Sequence, residues 1–387
     1  MQRTIRIKLA PAPAQAAAFA ETSRQFTAVF NAVCAYGWQQ GEKNRIELHR
    51  ALYYPLKADY PALVSDLHVQ ARVKATEAVS SALNLRRKYA REQSARKVSQ
   101  PHSAACPPRY NVHTYRIDWD SRTVRLSTTA GRLTIGFTLP AYAERYAYLP
   151  TDTADLIQRD GGWWLHVVVT LPEVEIAPTE QVVGVDLGLA RPAVTSQNHF
   201  FGKKAWKARE GRQFHLKRAL QKKGSRSAKR HLKRVRHKEA RFRRDCDHVL
   251  SKQIVGSAEP GTMIVLENLK DIRKRTKARR KTETKRRIHA WSFAQLKGFI
   301  AYKAEERGLT VVVVDPRHTS QACSRCGHTA RTNRRSRGRF VCRKCGYELH
   351  ADLNAARNIA AKYHAGGGRP AAGGRPVNPP IVSIPAG

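Results

Sequence analysis

The chain opens on a period of two: Ile5, Ile7 and Leu9 alternate with Arg6 and Lys8, which predicts a strand ending at Pro11 and Pro13. From about residue 14 to 95 the spacing turns helical. It is clearest from Pro61 through Leu63, Leu67, Val69, Val73, Val79 and Leu83 to a basic end at Arg86, Arg87, Lys88 and Arg91, and the block reads as two or three helices. A Pro/Ser/His-rich loop from Ser99 to Pro108 closes it. Alternation then returns at Tyr115, Ile117, Trp119, at Val124, Leu126, and at Leu133, Ile135, Phe137, Leu139, with turn chemistry at Asp120-Ser121, Ala130-Gly131 and Asp160-Gly161-Gly162. These runs predict a small β-barrel ending near Leu171, with the helical block inserted after its first strand.

The second half has another grammar. After an aperiodic, Pro-containing stretch at 172–181, apolar strands at Val182 to Leu187, Thr262 to Leu266 and Thr310 to Val314 alternate with helical stretches, as in an α/β domain. Between the first two lies a strongly basic segment, Lys203 to Arg244, broken near Gly224. Leu232, Val235, Phe242, Cys246 and Val249 share one face of its second half, which predicts a long amphipathic helix. A second basic cluster runs from Lys270 to Arg287. The residues from Ala365 onward are Gly/Pro-rich, and 365–387 are expected to be a disordered tail.

Composition sharpens this picture. Of 387 residues, 71 are Lys or Arg and 30 are Asp or Glu, a net charge of +41. So large an excess repels itself unless a polyanion is the partner, and nucleic acid is the default polyanion. An anionic membrane is the alternative, but no run reaches the ~18 apolar residues of a spanning helix. The basic N-terminus followed by Ala-rich sequence lacks the continuous apolar stretch of a signal peptide, because Pro11, Pro13 and Gln15 interrupt it. A cytosolic, nucleoid-associated protein is expected, and the odd count of seven cysteines agrees.

Four of those cysteines form Cys323-x-x-Cys326 and Cys342-x-x-Cys345, with fifteen residues between the pairs, each pair followed by a glycine, Gly327 or Gly346. Four thiolates in two tight turns suit tetrahedral Zn²⁺ and leave no open position, so the site should be structural; an iron–sulfur centre takes the same ligands. Cys34, Cys106 and Cys246 read as ordinary thiols. Arginines crowd the knuckles, from Arg325 to Arg343, which makes this ribbon a candidate nucleic-acid-touching module.

A second constellation is acidic. Asp186 lies in Gly184-Val185-Asp186-Leu187-Gly188, Glu267 ends an apolar strand, and Asp352 opens an Ala-rich helix. Alone, each has an ordinary reading: a turn residue, a strand-end charge, a helix N-cap. Together they are a candidate cluster of hard oxygen ligands for Mg²⁺ or Mn²⁺, ions that can activate water and stabilise a leaving oxygen in phosphodiester cleavage.

The order of these parts resembles the TnpB (OrfB) proteins of insertion sequences, relatives of the type V CRISPR effectors. The resemblance rests on Gly184-Val185-Asp186-Leu187-Gly188, on Val265-Leu266-Glu267-Asn268-Leu269, on Thr319-Ser320-Gln321 before Cys323, and on His350-Ala351-Asp352-Leu353-Asn354-Ala355-Ala356-Arg357-Asn358-Ile359. It departs at Ala351, where the family often has Arg, and at Gln197-Asn198-His199, where the family has an Asp/Asn-Gly turn. It implies an α/β RuvC-like, RNase H-type nuclease domain at 182–316 and 351–364, with a zinc ribbon inserted at 317–350. It further implies an all-β wedge barrel at 1–12 and 113–171, interrupted by a helical recognition lobe at 13–112, with 172–181 as linker.

The function implied is an RNA-guided DNA endonuclease, with Asp186, Glu267 and Asp352 as catalytic metal ligands. Its implied partners are a guide RNA from the transposon end and a double-stranded DNA target beside a short flanking motif, bound by a monomer. A strand-transferring transposase uses the same acidic chemistry, and a guide-directed repressor the same basic channel. The first lacks a nucleophilic-Tyr HUH motif here, and loss of a carboxylate would have favoured the second.

Overall fold

The computed structural model describes residues 1–174, 181–189, 191–270, 272, 282–336, 338–367 and 369–370. The chain divides into two units, 1–172 and 173–376.

In the first unit β1 (Gln2–Leu9) is followed by three helices, α1 (Pro13–Gln40), α2 (Arg45–Asp59) and α3 (Ser65–Arg91), and then by β2 (Arg109–Tyr110), β3 (Tyr115–Asp118), β4 (Thr123–Thr128), β5 (Gly131–Thr138), β6 (Thr151–Arg159) and β7 (Gly162–Thr170). One sheet runs β2-β6-β7-β1-β5-β4-β3. Its outermost strands, β2 and β3, are separated by only four residues, so the sheet curls and is nearly closed. Tyr115 bridges that seam by donating to the Asp152 carbonyl at 3.0 Å. Inside, alternation does what it predicted: Ile5, Ile7 and Leu9 of β1 and Leu165, Val167 and Val169 of β7 are all buried.

The three helices pack on this barrel through apolar and ionic contacts. Phe19 of α1 meets Trp163 of β7 edge-on with centroids 5.3 Å apart. On α3 the buried face is Leu67, Ala71, Ala75, Val79 and Leu83; Val69 and Val73 lie at its half-buried margin. Lys74, only 5% exposed, ends in an ion pair with Asp155 of β6 at 2.8 Å and a bond to the Pro107 carbonyl. A buried lysine needs both partners.

The boundary between lobe and barrel lies earlier than 112. Arg109 and Tyr110 pair with Asp155 and Ala154, so these residues belong to the sheet. A two-residue strand is too short to show alternation.

In the second unit the strands are β8 (Val182–Asp186), β9 (Ala193–Thr195), β10 (Phe200–Phe201), β11 (Met263–Glu267), β12 (Thr310–Val314) and β15 (Arg369–Pro370), in sheet order β10-β9-β8-β11-β12-β15. β8, β11 and β12 are parallel. α5 (Arg226–Gly256) and α7 (Phe293–Glu305) cover one face, α8 (Ala351–Lys362) the other. On β11, Ile264 and Leu266 pack towards α5 and α7 while Val265 packs with Ile359 of α8. Strands covered on both faces read as the continuous apolar runs seen in the sequence.

The basic segment forms α4 (Lys204–Lys223) and α5, separated by Gly224 in the left-handed region (φ 65°) and capped by Ser225, whose Oγ accepts from Ala228 N. Val235 of the expected apolar face is buried, but Glu239 is buried on that face as well. Glu239 accepts from Lys217 and from Arg243, which explains a carboxylate there.

After β11, α6 (Thr282–Ala290) carries the end of the second basic cluster; 271 and 273–281 lie outside the described residues, as does most of the expected linker. The ribbon contributes β13 (Arg339–Val341) and β14 (Glu348–His350). The tail expectation fails at its start: β15 pairs antiparallel with Val312 and Val313 of β12, its backbone filling a sheet edge where composition alone gave no periodicity to read. Residues 371–387 lie outside the described set.

Candidate catalytic cleft and metal centre

Strand parity aims two of the acids. On β8 and β11 the positions facing α8 are every second residue, which puts Asp186 in phase with Gly184 and Glu267 in phase with Val265. Gly184 shows how close α8 comes: a Cβ built there would sit 2.2 Å from the Ala356 carbonyl oxygen and 2.6 Å from Ala360 N. Helix backbone therefore lies on strand backbone, and the small α8 residues Ala355 and Ala356 are buried. This approach delivers Asp352 from the helix's first turn. Asp186, Glu267 and Asp352 line one cleft of about 490 Å³.

Asp352 is not the N-cap. His350 takes that position, its Nδ1 accepting from Asp352 N at 3.2 Å, which leaves the Asp352 carboxylate free of the capping role. That carboxylate instead accepts from Arg334 Nη2 of the ribbon at 3.0 Å. Glu267 accepts from Thr319 Oγ1 at 2.5 Å.

Burial, then the neighbouring Glu267 and Asp352 carboxylates, push Asp186 well above the usual carboxylate range, with Arg334 opposing. Burial also raises Glu267, against the Thr319 bond, Lys362 and Arg334. A buried acid raised by acidic neighbours, as Asp186 is, is one that a cation would relieve. The ligand atoms of the four cysteines all lie within 4.8 Å of one another.

The cysteines meet as Cys323 with Cys345 (Sγ to Sγ 3.8 Å) and Cys326 with Cys342 (3.6 Å). A tetrahedron with Zn–S bonds of about 2.3 Å has edges of about 3.8 Å, so the group fits a closed four-thiolate metal site. Gly327 and Gly346 adopt φ of 72° and 71° at the two knuckle turns, and Lys344 N and Cys345 N point at Cys342 Sγ (3.4 and 3.5 Å).

The ribbon and α8 are joined. Asn354 accepts from Ser324 N at 3.0 Å and donates to the Ala322 carbonyl at 2.8 Å; Asn358 donates to the carbonyls of Thr319 and Ala322. Phe340 and Cys342 bury themselves against Ala351. The sequence singled out the Thr319 motif without a role for it and gave no way to choose Arg334 from the other ribbon arginines; nothing but the contact identifies it.

The comparisons with known proteins bear on the same elements. Residues 293–359 match the family described as Cas12f1-like, TNB domain, a span that holds all four cysteines and Asp352. The protein named CRISPR-associated endodeoxyribonuclease Cas12f1 of Sulfoacidibacillus thermotolerans is 32% identical over 223 residues, covering 52% of this chain and 50% of that relative. InsQ of Escherichia coli K12, named as an RNA-guided DNA endonuclease, is 32% identical over 228 residues, 54% of this chain and 56% of InsQ. The chain thus spans about half the length of these relatives. The crystal structure of an AacC2c1–sgRNA–extended non-target DNA ternary complex shares the fold at a TM-score of 0.50 and 9% identity, covering 92% of this chain and 65% of the other. Over about half of its length the chain is thus similar in sequence to proteins named as TnpB-like and as type V CRISPR-associated endodeoxyribonucleases.

Proposed function

We propose that the protein is a transposon-associated, RNA-guided DNA endonuclease whose RuvC-like unit hydrolyses phosphodiester bonds in the cleft of Asp186, Glu267 and Asp352. One observation carries the reading: three carboxylates, from segments 81 and 85 residues apart, line a single cleft of a chain with net charge +41. Local structure accounts for neither Asp352, which is not a cap, nor Asp186, which is buried beside two other acids.

Asp186, Glu267 and Asp352 would hold Mg²⁺ or Mn²⁺, whose chemistry is to activate a water and stabilise the departing oxygen. The chain's own residues set that stage. Thr319 fixes the Glu267 rotamer, Arg334 holds Asp352 and places a positive charge where a phosphate enters, and the α8 backbone on Gly184 sets the spacing between Asp352 and Asp186. Cys323, Cys326, Cys342 and Cys345 would hold one zinc that keeps the ribbon, and with it Arg334 and Thr319, against α8.

Guide RNA and target DNA are the partners that suit the relatives' names and the charge. A basic channel binds backbone without reading sequence, so a guide supplies the selection. The exposed basic residues of α4 and α5 suit a heteroduplex backbone, and the barrel and helical lobe remain for the guide and the flanking motif. No helix of the described residues is long and apolar enough to cross a membrane. We place the protein at the nucleoid, as a monomer in its complex. The test is to replace Asp186, Glu267 or Asp352 by Ala and assay Mg²⁺-dependent cutting and nucleic-acid binding together. Each variant is expected to lose cutting and keep binding; a Glu267→Ala protein that cuts at the wild-type rate would refute the assignment.

A further inference from the structure

The catalytic cleft has a neighbour. A cavity of about 560 Å³ lies between the start of α4, the middle of α5 and the α6–α7 junction, and it shares Gly188, Leu189 and Arg191 with the cleft that holds the three carboxylates. Its size falls in the range of pockets that accept a nucleotide-sized group. Trp206 and Trp291 contribute half-buried aromatic surface to its lining. Lys203 and Lys207, one helical turn apart and flanking Trp206, stand exposed on it, and among the described residues neither has an ion-pair partner.

Each acid in the cavity has a partner, two of them a cation. Glu239 takes Lys217 and Arg243, Asp247 accepts from Ser292 at 2.6 Å, and Glu210 lies 4.0 Å from Arg243. The entrance is also held in shape. Gly202 at φ 107° packs on Pro192 so tightly that an added Cβ would meet its ring at 2.6 Å, which fixes where Lys203 leaves the hairpin.

Aromatic surface beside unpaired cations is the combination that holds a single strand, a base stacking on the ring and its phosphate meeting the ammonium groups. We infer that this cavity is a nucleotide subsite for the single strand adjoining the bond cut in the cleft, with a base on Trp206 and phosphates on Lys203 and Lys207. Only an unpaired base offers its face, so the occupant is a single strand rather than a duplex. The inference rests on the nuclease reading for the identity of the strand, but its test does not use cleavage.

The experiment measures fluorescence anisotropy of a labelled eight-residue oligothymidylate with the full, zinc-loaded protein under conditions that remove free divalent ions. Trp206→Leu is expected to weaken binding at least fivefold and Trp206→Phe to restore most of it. Lys203→Gln with Lys207→Gln is expected to lower the slope of log affinity against log salt by about 1.4, at about 0.7 per phosphate contact on a single strand. The control is Lys222→Gln with Lys223→Gln, an equal charge change about 24 Å away along α4, at 1.5 Å per residue. If that control weakens binding as much, or if Trp206→Leu binds like wild type, the cavity is no subsite and the strand meets only diffuse charge. A protein that cuts no DNA yet shows the Trp206 dependence would overturn the nuclease reading and leave the subsite standing.

Discussion

Arg334 and Asp352 meet at 3.0 Å across the junction of two modules, the arginine from the four-cysteine ribbon and the aspartate from the first turn of the helix that follows it. The guanidinium is about one-third exposed and the carboxylate about one-tenth. The ribbon therefore supplies a cation to the cleft. Replacing Arg334 by Gln should lower the cutting rate about a hundredfold, the scale at which one preorganised donor acts on developing charge. Arg334→Lys should recover part of it. Single-turnover rates on a matched duplex decide: a Gln variant within twofold of wild type would make the contact merely structural.

Gly184 predicts its own sensitivity. With the Ala356 carbonyl 2.2 Å from where a Cβ would stand, Gly184→Ala must push α8 off β8. Overpacking of this kind costs typically 1–3 kcal/mol, and here the displaced helix carries Asp352. The expected result is a lowered denaturation midpoint and cutting at least tenfold slower, even at a temperature where the variant is fully folded. Full activity in a folded variant would mean that the helix–strand spacing does not set the cleft.

Zinc should be present at one per chain by elemental analysis, and Cys326→Ser should lose it. The ribbon's own core is essentially Phe340 with Cys323, Cys342 and Ala351, too little to hold it without the metal. Because Asn354 and Asn358 tie the ribbon to α8, the loss should reach the cleft and abolish cutting, while the circular dichroism of the helical lobe and barrel persists. Iron with visible absorption in place of zinc would contradict the assignment.

Asp247 offers a pH test away from the metal positions. Burial, against its Ser292 bond and Arg243, raises its carboxyl to about 6. A carboxyl whose folded value lies above the unfolded value of about 3.9 binds more protons when folded, so it costs stability as pH rises from about 4 to about 6, and the full cost stands above that window. Partial exposure keeps this to at most about 2 kcal/mol. Asp247→Asn, which can still accept from Ser292, should be more stable than wild type at pH 7.5 by about 1 kcal/mol and lose about half of that advantage at pH 5. Denaturant unfolding at the two pH values checks it; a pH-independent difference would mean the carboxyl titrates normally.

Much of the chain was legible because burial on one or both faces writes itself into sequence. Ile5, Ile7 and Leu9 show a strand with one buried face, Met263 to Leu266 a strand covered on both, and Gly224 a helix break. The cysteine spacing foretold a cluster that does form. What escaped was short or nonlocal. β2 and β10 have two residues each, β9 three, too few for a period, and Asn198 at φ 68° makes the β9–β10 turn without the Asn-Gly signal. Glu239 on an apolar face, Arg334 among many arginines and His350 capping in place of Asp352 depend on partners 18 to 22 residues away or on cap geometry, which linear patterning does not carry.

The central claim is selection by a guide, and one measurement tests it most directly. The protein, co-expressed with RNA from its native flanking DNA, is purified as a complex and given two duplexes that share one flanking motif but differ in the adjoining sequence; the guide is then rewritten from the first to the second. The account predicts that cutting moves to the second duplex and disappears on RNase treatment. Cutting that persists without RNA, or that stays on the first duplex, would contradict it and leave a protein-directed nuclease or transposase in its place.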